Sequence, residues 1–203
     1  MAFDLDDPDR ATDTLRLRSG AHLTLRFAGP GDAAALQGYF RALSPSSRYN
    51  RLMGAAPELP ETQLARFVRP GQDDAFTVLA LAASDAGAAV IGELRYAHHG
   101  EDDAIEFGVS VLDRWHGQGI GAALLANLEC RGAARGATRL YADTLRSNTR
   151  MIALARKTGY AFEPSPIDWK QTRLAKQVSD AALIVPCASL RLAAAHRRQA
   201  VGR

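Results

Sequence analysis

Hydrophobic and polar positions alternate along much of this chain, and the changes of period mark out its elements. Thr14-Leu15-Arg16-Leu17-Arg18 and His22-Leu23-Thr24-Leu25-Arg26-Phe27 switch at every residue around Ser19-Gly20, which predicts a β-hairpin. Pro30-Gly31-Asp32 then opens a helix whose apolar positions include Leu36, Tyr39, Phe40 and Leu43. Ser44-Pro45 breaks it. Further helical stretches run from Ser47 to Met53 and from Pro60 to Val68, and residues 74–83 and 88–97 read as strands around Ser84-Asp85-Ala86-Gly87.

The strand from Ala104 to Leu112 is the most regular. Ile105, Phe107, Val109 and Val111 share one face, which predicts core; Glu106, Gly108 and Ser110 share the other. That second face sets a carboxylate beside a glycine and is expected to leave room above the sheet. After a glycine-rich turn, Gly121, Leu124, Leu125 and Leu128 form a helical stripe that stops at Gly136, and Thr138–Asp143 reads as the next strand. Strand–helix–strand over 104–143 implies a right-handed crossover and a locally parallel pair. Ser147-Asn148 starts a short helix that ends at Gly159, Tyr160-Ala161-Phe162 begins a strand, and Arg173–Val178 reads as the last one. The expected organisation is an acidic leader over 1–13, one domain over 14–180 and a C-terminal extension over 181–203. In that extension Leu190–Gln199 is either a short basic helix or an unstructured end.

Composition narrows the class. With 203 residues, 47% hydrophobic and 23% charged, the chain has the make-up of an ordinary globular protein. A formal charge of +3 is too small for a nucleic-acid footprint, so no nucleic-acid partner is expected. The start, Met1-Ala2-Phe3-Asp4-Leu5-Asp6-Asp7, lacks the pattern of a signal peptide, and no apolar run is long enough to span a bilayer; no membrane partner and a cytoplasmic location are expected. Two cysteines, Cys130 and Cys187, give no disulfide framework and no metal-ligand spacing to read, and the five histidines have no spaced partners, so no metal is expected. The late strands and the basic tail leave open either a homodimer or a simple trailing segment.

The chemistry concentrates at Trp115-His116-Gly117-Gln118-Gly119-Ile120-Gly121-Ala122. Glycines let the backbone approach a ligand, and the first N–H groups of the following helix have no intrahelical acceptor. Together with the helix dipole they make an anion site suited to a pyrophosphate. The Gly-x-Gly-x-Gly spacing differs from the Gly-x-Gly-x-x-Gly of dinucleotide folds, and no Gly-Lys-Ser/Thr ending suggests a nucleotide triphosphate loop.

Two stretches carry a resemblance. His116-Gly117-Gln118-Gly119-Ile120-Gly121-Ala122, together with Asn148-Thr149-Arg150-Met151-Ile152-Ala153-Leu154-Ala155-Arg156-Lys157-Thr158-Gly159-Tyr160, is similar to the paired motifs of the GNAT family of acyl-CoA-dependent N-acyltransferases. The resemblance implies an α/β (α+β) GNAT fold, with a central, mixed, mostly antiparallel sheet flanked by helices and a strand splayed at the acyl-CoA site. It implies acetyl-CoA as acyl donor and an amine acceptor, with no metal. The pantetheine arm maps to the backbone of Val109, Ser110 and Val111, and the pyrophosphate to the amides of Gln118, Gly119, Ile120, Gly121 and Ala122. His116 and Gly117 lead that loop, and Asn148 fixes the arm or the adjoining helix. Leu43-Ser44-Pro45-Ser46-Ser47-Arg48-Tyr49-Asn50-Arg51-Leu52 also resembles the acetyltransferase domains fused to acyl-CoA-synthetase-like domains, several of which modify protein lysines.

Glu106 is the candidate general base, taking a proton from an ammonium so that the amine can attack the thioester; otherwise it is a solvated carboxylate or a partner for an arginine. Asn148 serves equally well as a helix cap. Arg48, Tyr49 and Arg51 read as a solvated helix face or as part of an acceptor groove. Two positions depart from the family pattern: His116 stands where it has Arg or Gln, and Ala155 where many members place a tyrosine that protonates the leaving thiolate. The alternative class is a non-catalytic acyl-CoA-binding sensor or interaction module.

Overall fold

The computed structural model describes residues 13–17, 20, 22–84, 87–99 and 103–178. The leader 1–12 and the stretch 179–203, with Leu190–Gln199, lie outside the described residues. The strands are β1 (Asp13–Arg16), β2 (His22–Phe27), β3 (Ala75–Ser84), β4 (Gly87–His99), β5 (Ala104–Val111), β6 (Arg139–Leu145), β7 (Ala161–Pro164) and β8 (Gln171–Gln177). They form one eight-stranded sheet in the order β1-β2-β3-β4-β5-β6-β8-β7. β5 and β6 run parallel and every other neighbouring pair is antiparallel. This is the mixed, mostly antiparallel sheet expected from the sequence. The helices are α1 (Ala33–Ala42), α2 (Pro45–Leu52), α3 (Glu61–Phe67), α4 (Ile120–Arg135) and α5 (Thr149–Lys157).

The alternating strands fold as they do because one face must leave water. Leu23, Leu25 and Phe27 of β2 are buried, as are Leu94 and Tyr96 of β4 and Ile105 and Phe107 of β5. α4 closes over this face with Leu124, Leu125 and Leu128, and a Cβ added at its Gly132 would come within 3.2 Å of Ile105 and Leu140. The opposite face is covered by α1, whose Tyr39 hydroxyl reaches Ser110, and by α2, whose Arg51 lies over Gly108. Ser44-Pro45 does more than end α1: Ser44 Oγ accepts the Ser47 N–H as the N-cap of α2, and Pro45 takes the first helical position. At the other boundary, Asp13 is buried at the start of β1, where Asn127 Nδ2 donates to its carboxylate.

One irregularity organises the rest. β5 and β6 are in register at Ala104, Ile105 and Glu106, opposite Arg139, Leu140 and Tyr141, and pair no further. Past Glu106 they diverge and leave a wedge between them.

Candidate functional site

Backbone groups line the wedge. Leu112 N–H donates to Ile91 O on β4, so by alternation the amides of Ser110 and Gly108 also face β4. Those of Val109 and Val111 therefore point into the wedge, beyond the last paired residue of β6. Of the three residues assigned to this strand, Ser110 thus turns its amide to β4 and away from the wedge.

The glycine turn follows at once. Asp113–Trp115 form a single 3-10 turn, after which Gly117 (φ +77°) and Gly119 (φ +92°) adopt left-handed conformations that favour glycine. Among the described residues, Gly117, Gln118 and Gly119 donate to no backbone carbonyl; Ile120, Gly121 and Ala122 head α4, where no earlier turn exists to accept their N–H groups. Gly121 is small for another reason, since a Cβ there would lie 2.9 Å from Leu154 Cδ2 on α5. His116 Nε2 lies 2.8 Å from Val111 O; a carbonyl only accepts, so Nε2 carries the proton and ties the loop to the end of β5. Its Nδ1 is buried with no hydrogen-bond partner.

These elements wall a cleft of about 820 Å³ that takes in Val109, Ser110, Val111, His116, Gly117, Gly119, Ile120, Gly121, Ala122 and Asn148. Gln118 belongs to the loop but not to the wall. A second cavity of about 520 Å³ opens on the other side of the wedge and contains Glu106, Arg95, Phe67, Asp143 and Ile167. The two cavities share Asn50, Arg51, Val109, Asn148 and Met151, so they meet where β5 and β6 part. Glu106 stands at that parting point, half-exposed, with His99 Nε2 at 3.2 Å.

The room expected above the sheet opens beside Glu106, but directly over Gly108 it is filled. The Arg51 guanidinium sits over Gly108, where an added Cβ would be 2.9 Å from Nη1. Arg51 is therefore not on a solvated helix face. It donates from Nε and Nη2 to both oxygens of Glu93 at 2.6 and 3.1 Å, and Glu93 is 0% exposed. Burial alone would lower the Arg51 pKa, but the Glu93 charge and hydrogen bonds raise it. Ser110 Oγ donates to Glu93 at 2.6 Å, which leaves the Tyr39 hydroxyl, 2.9 Å away, as donor to Ser110. Burial and the Glu93 charge push the Tyr39 pKa well above its usual value, so the phenol keeps its proton. This network escaped the sequence reading because Arg51 and Glu93 lie 42 positions apart. A local signal was present: Glu93 and Arg95 interrupt a strand that is otherwise largely apolar.

Asp113 ties the turn to α2. It accepts from Ser44 N–H, Ser44 Oγ and Ser47 Oγ at 3.0, 2.9 and 2.8 Å. Partial burial would raise its pKa, yet these hydrogen bonds and the nearby His116 hold it down at about 2. Asn148 caps α5, accepting from Met151 N–H at 3.2 Å while donating to Thr144 Oγ1 at 3.1 Å. Ala155, two turns further along, is fully buried. Among the described residues no cluster of three or more His, Cys, Asp or Glu could hold a metal ion, and no helix is long and apolar enough to cross a membrane.

A parallel pair splayed beside a glycine turn, within a mostly antiparallel sheet, defines the fold class, and comparison with known proteins gives it a family. The chain belongs to the acetyltransferase (GNAT) family, whose model matches residues 41–160. It is 24% identical over 155 residues to the acetyltransferase PA5475 of Pseudomonas aeruginosa, covering 76% of this chain and 83% of that one. The GNAT domain of S. lividans PAT superposes with a TM-score of 0.75 at 25% identity, over 84% of this chain and 98% of that one. RimL, a ribosomal L7/L12 alpha-N-protein acetyltransferase solved in complex with coenzyme A, shares the fold at a TM-score of 0.61 and 18% identity, over 77% and 94% of the two chains.

Proposed function

We propose that this chain is an acetyl-CoA-dependent N-acetyltransferase that moves the acetyl group directly to a primary amine, of a protein lysine or of a small molecule. The observation that carries the reading is the meeting of the two cavities at Val109, between an amide-lined cleft on one side and Glu106 on the other. The residues fit the donor's chemistry. Free N–H groups from Gly117 to Ala122 suit a pyrophosphate, and the wedge-facing backbone of Val109 and Val111 suits a pantetheine arm. Glu106 receives the proton of an ammonium whose unperturbed pKa is about 10.4. The amine nitrogen then bonds to the carbonyl carbon, the C–S bond breaks, and the sulfur leaves as thiolate. Val109 N–H, fixed before reaction, stabilises the developing oxyanion. Ala155 donates no proton, so the thiolate is protonated by water or by Ser147, which lines the larger cleft.

The rival reading, a non-catalytic acyl-CoA-binding module, draws its support from Ala155, since the site lacks the phenol that many relatives carry. Titration calorimetry with acetyl-CoA and with CoA, on wild type and on Ala122→Glu, tests the shared premise. Ala122 lies in the first turn of α4, where the helical backbone accepts a glutamate and an acid suits the dipole. Binding by wild type that Ala122→Glu loses, with the circular dichroism unchanged, is expected. No binding to wild type near millimolar concentration contradicts both readings, and binding without acetylation of any amine favours the module.

A further inference from the structure

Arg95 lies on β4 directly opposite Gly108, which places it on the same face as Glu106, two positions earlier on β5. Both line the smaller cavity. Nη1 of Arg95 donates to Arg66 O at 3.0 Å and to Thr77 Oγ1 at 3.1 Å, and its Cζ lies 4.7 Å from the Phe67 ring centroid. Nε and Nη2 have no acceptor among the described residues. Glu93, two positions away on the same strand, is already bidentate with Arg51. Burial and the Arg51 charge both lower the Arg95 pKa, as expected of a half-buried cation without a counter-ion. A guanidinium withdrawn from water is unfavourable unless an anion meets it.

The remaining charges of the cavity sharpen the picture. Arg51 is paired with Glu93, and Asp143 with Arg173 at 2.6 Å. That leaves the Arg95 cation and, beside His99, the Glu106 carboxylate. A cation and a carboxylate that share one wall and do not pair with each other complement a zwitterion. A doubly charged phosphate suits it less, because Glu106 and Asp143 share the cavity.

We propose that the acceptor carries a carboxylate close to the amine it presents, with Arg95 gripping that carboxylate through Nε and Nη2 while Glu106 faces the ammonium. The fork of those two nitrogens matches a carboxylate side-on. This rests on the acetyl-transfer reading above and names its acceptor class. The carboxylate belongs either to a free amino acid or to an acidic residue beside a lysine in a peptide.

The test compares matched acceptors: ω-amino acids with alkylamines of equal length, α-amino acids with their amides, and lysine peptides with Asp or Asn next to the lysine. In wild type one series favours the carboxylate by about tenfold or more in kcat/KM, the scale of a charge-assisted hydrogen bond. Arg95→Gln brings that ratio close to one, and Arg95→Lys recovers part of it. Arg69→Gln, at an exposed arginine outside the cavity wall, keeps it. A titration of the preferred acid into the CoA-loaded protein gives a readout independent of turnover; it weakens in Arg95→Gln. The series that responds identifies the source of the carboxylate. A ratio near one in all three series, or one that survives Arg95→Gln in a folded protein, overturns the proposal while leaving acetyl transfer standing. Should no amine be acetylated, the titration decides alone: absent or Arg95-independent binding of every acid overturns it.

Discussion

Two carboxylates on one face of the sheet have opposite environments. Glu106 is half-exposed at the parting of β5 and β6, with His99 Nε2 against its carboxylate. Glu93 is sealed beneath the cleft and held by Arg51 and Ser110. Substitutions should separate their roles. Glu106→Gln is expected to lower kcat by about a hundredfold or more, the usual range for general-base loss, with acetyl-CoA affinity unchanged by titration. Glu93→Gln leaves the Arg51 cation buried without its charge partner, and should destabilise the fold by about 3 kcal/mol or more in urea. Gly108→Ala puts a methyl where the Arg51 guanidinium lies and tests the same packing from the strand side. A loss of stability is expected there, and an unchanged unfolding midpoint would place Arg51 elsewhere.

At the scale of elements, the glycine turn depends on what holds it from behind. α4 and α5 touch at Gly121 and Leu154, so Gly121→Ala must displace the Leu154 side chain that packs against the turn; a lowered Tm and weaker cofactor binding are expected together. Asp113 joins the same turn to the N-terminus of α2. Its folded pKa of about 2 lies below the ordinary 3.8, so it contributes stability above that value and loses it as pH falls toward 2. Acid titration of Asp113→Asn by circular dichroism should therefore show less loss of stability than wild type between those two pH values.

The same scale explains what was legible in the sequence. The hairpin, the strand Ala104–Val111, the glycine turn and the parallel crossover could all be read because each is written in adjacent residues. Asn148 was visible as a cap or a contact, and its side chain makes the cap. Arg51, Glu93 and Arg95 were not legible, because what defines them is the stacking of α2 and α3 on β4. A solvated arginine and a buried one look alike along the chain.

Across the whole molecule, the sheet brings two cavities to one point. A ligand that binds the folded state alone stabilises it by about 2.7 kcal/mol at a hundred times its Kd. Saturating acetyl-CoA should raise Tm by several degrees in wild type and leave Ala122→Glu unchanged, as read by scanning fluorimetry. The central claim, however, concerns transfer rather than binding. It is tested most directly by mass spectrometry of an amine acceptor incubated with acetyl-CoA and either wild type or Glu106→Gln, with cofactor affinity measured on the same samples. The account predicts an acetylated amine with wild type, at least about a hundredfold slower with Glu106→Gln at equal affinity. Equal rates for the two proteins, or bound cofactor with no acetylated amine from either, would contradict it.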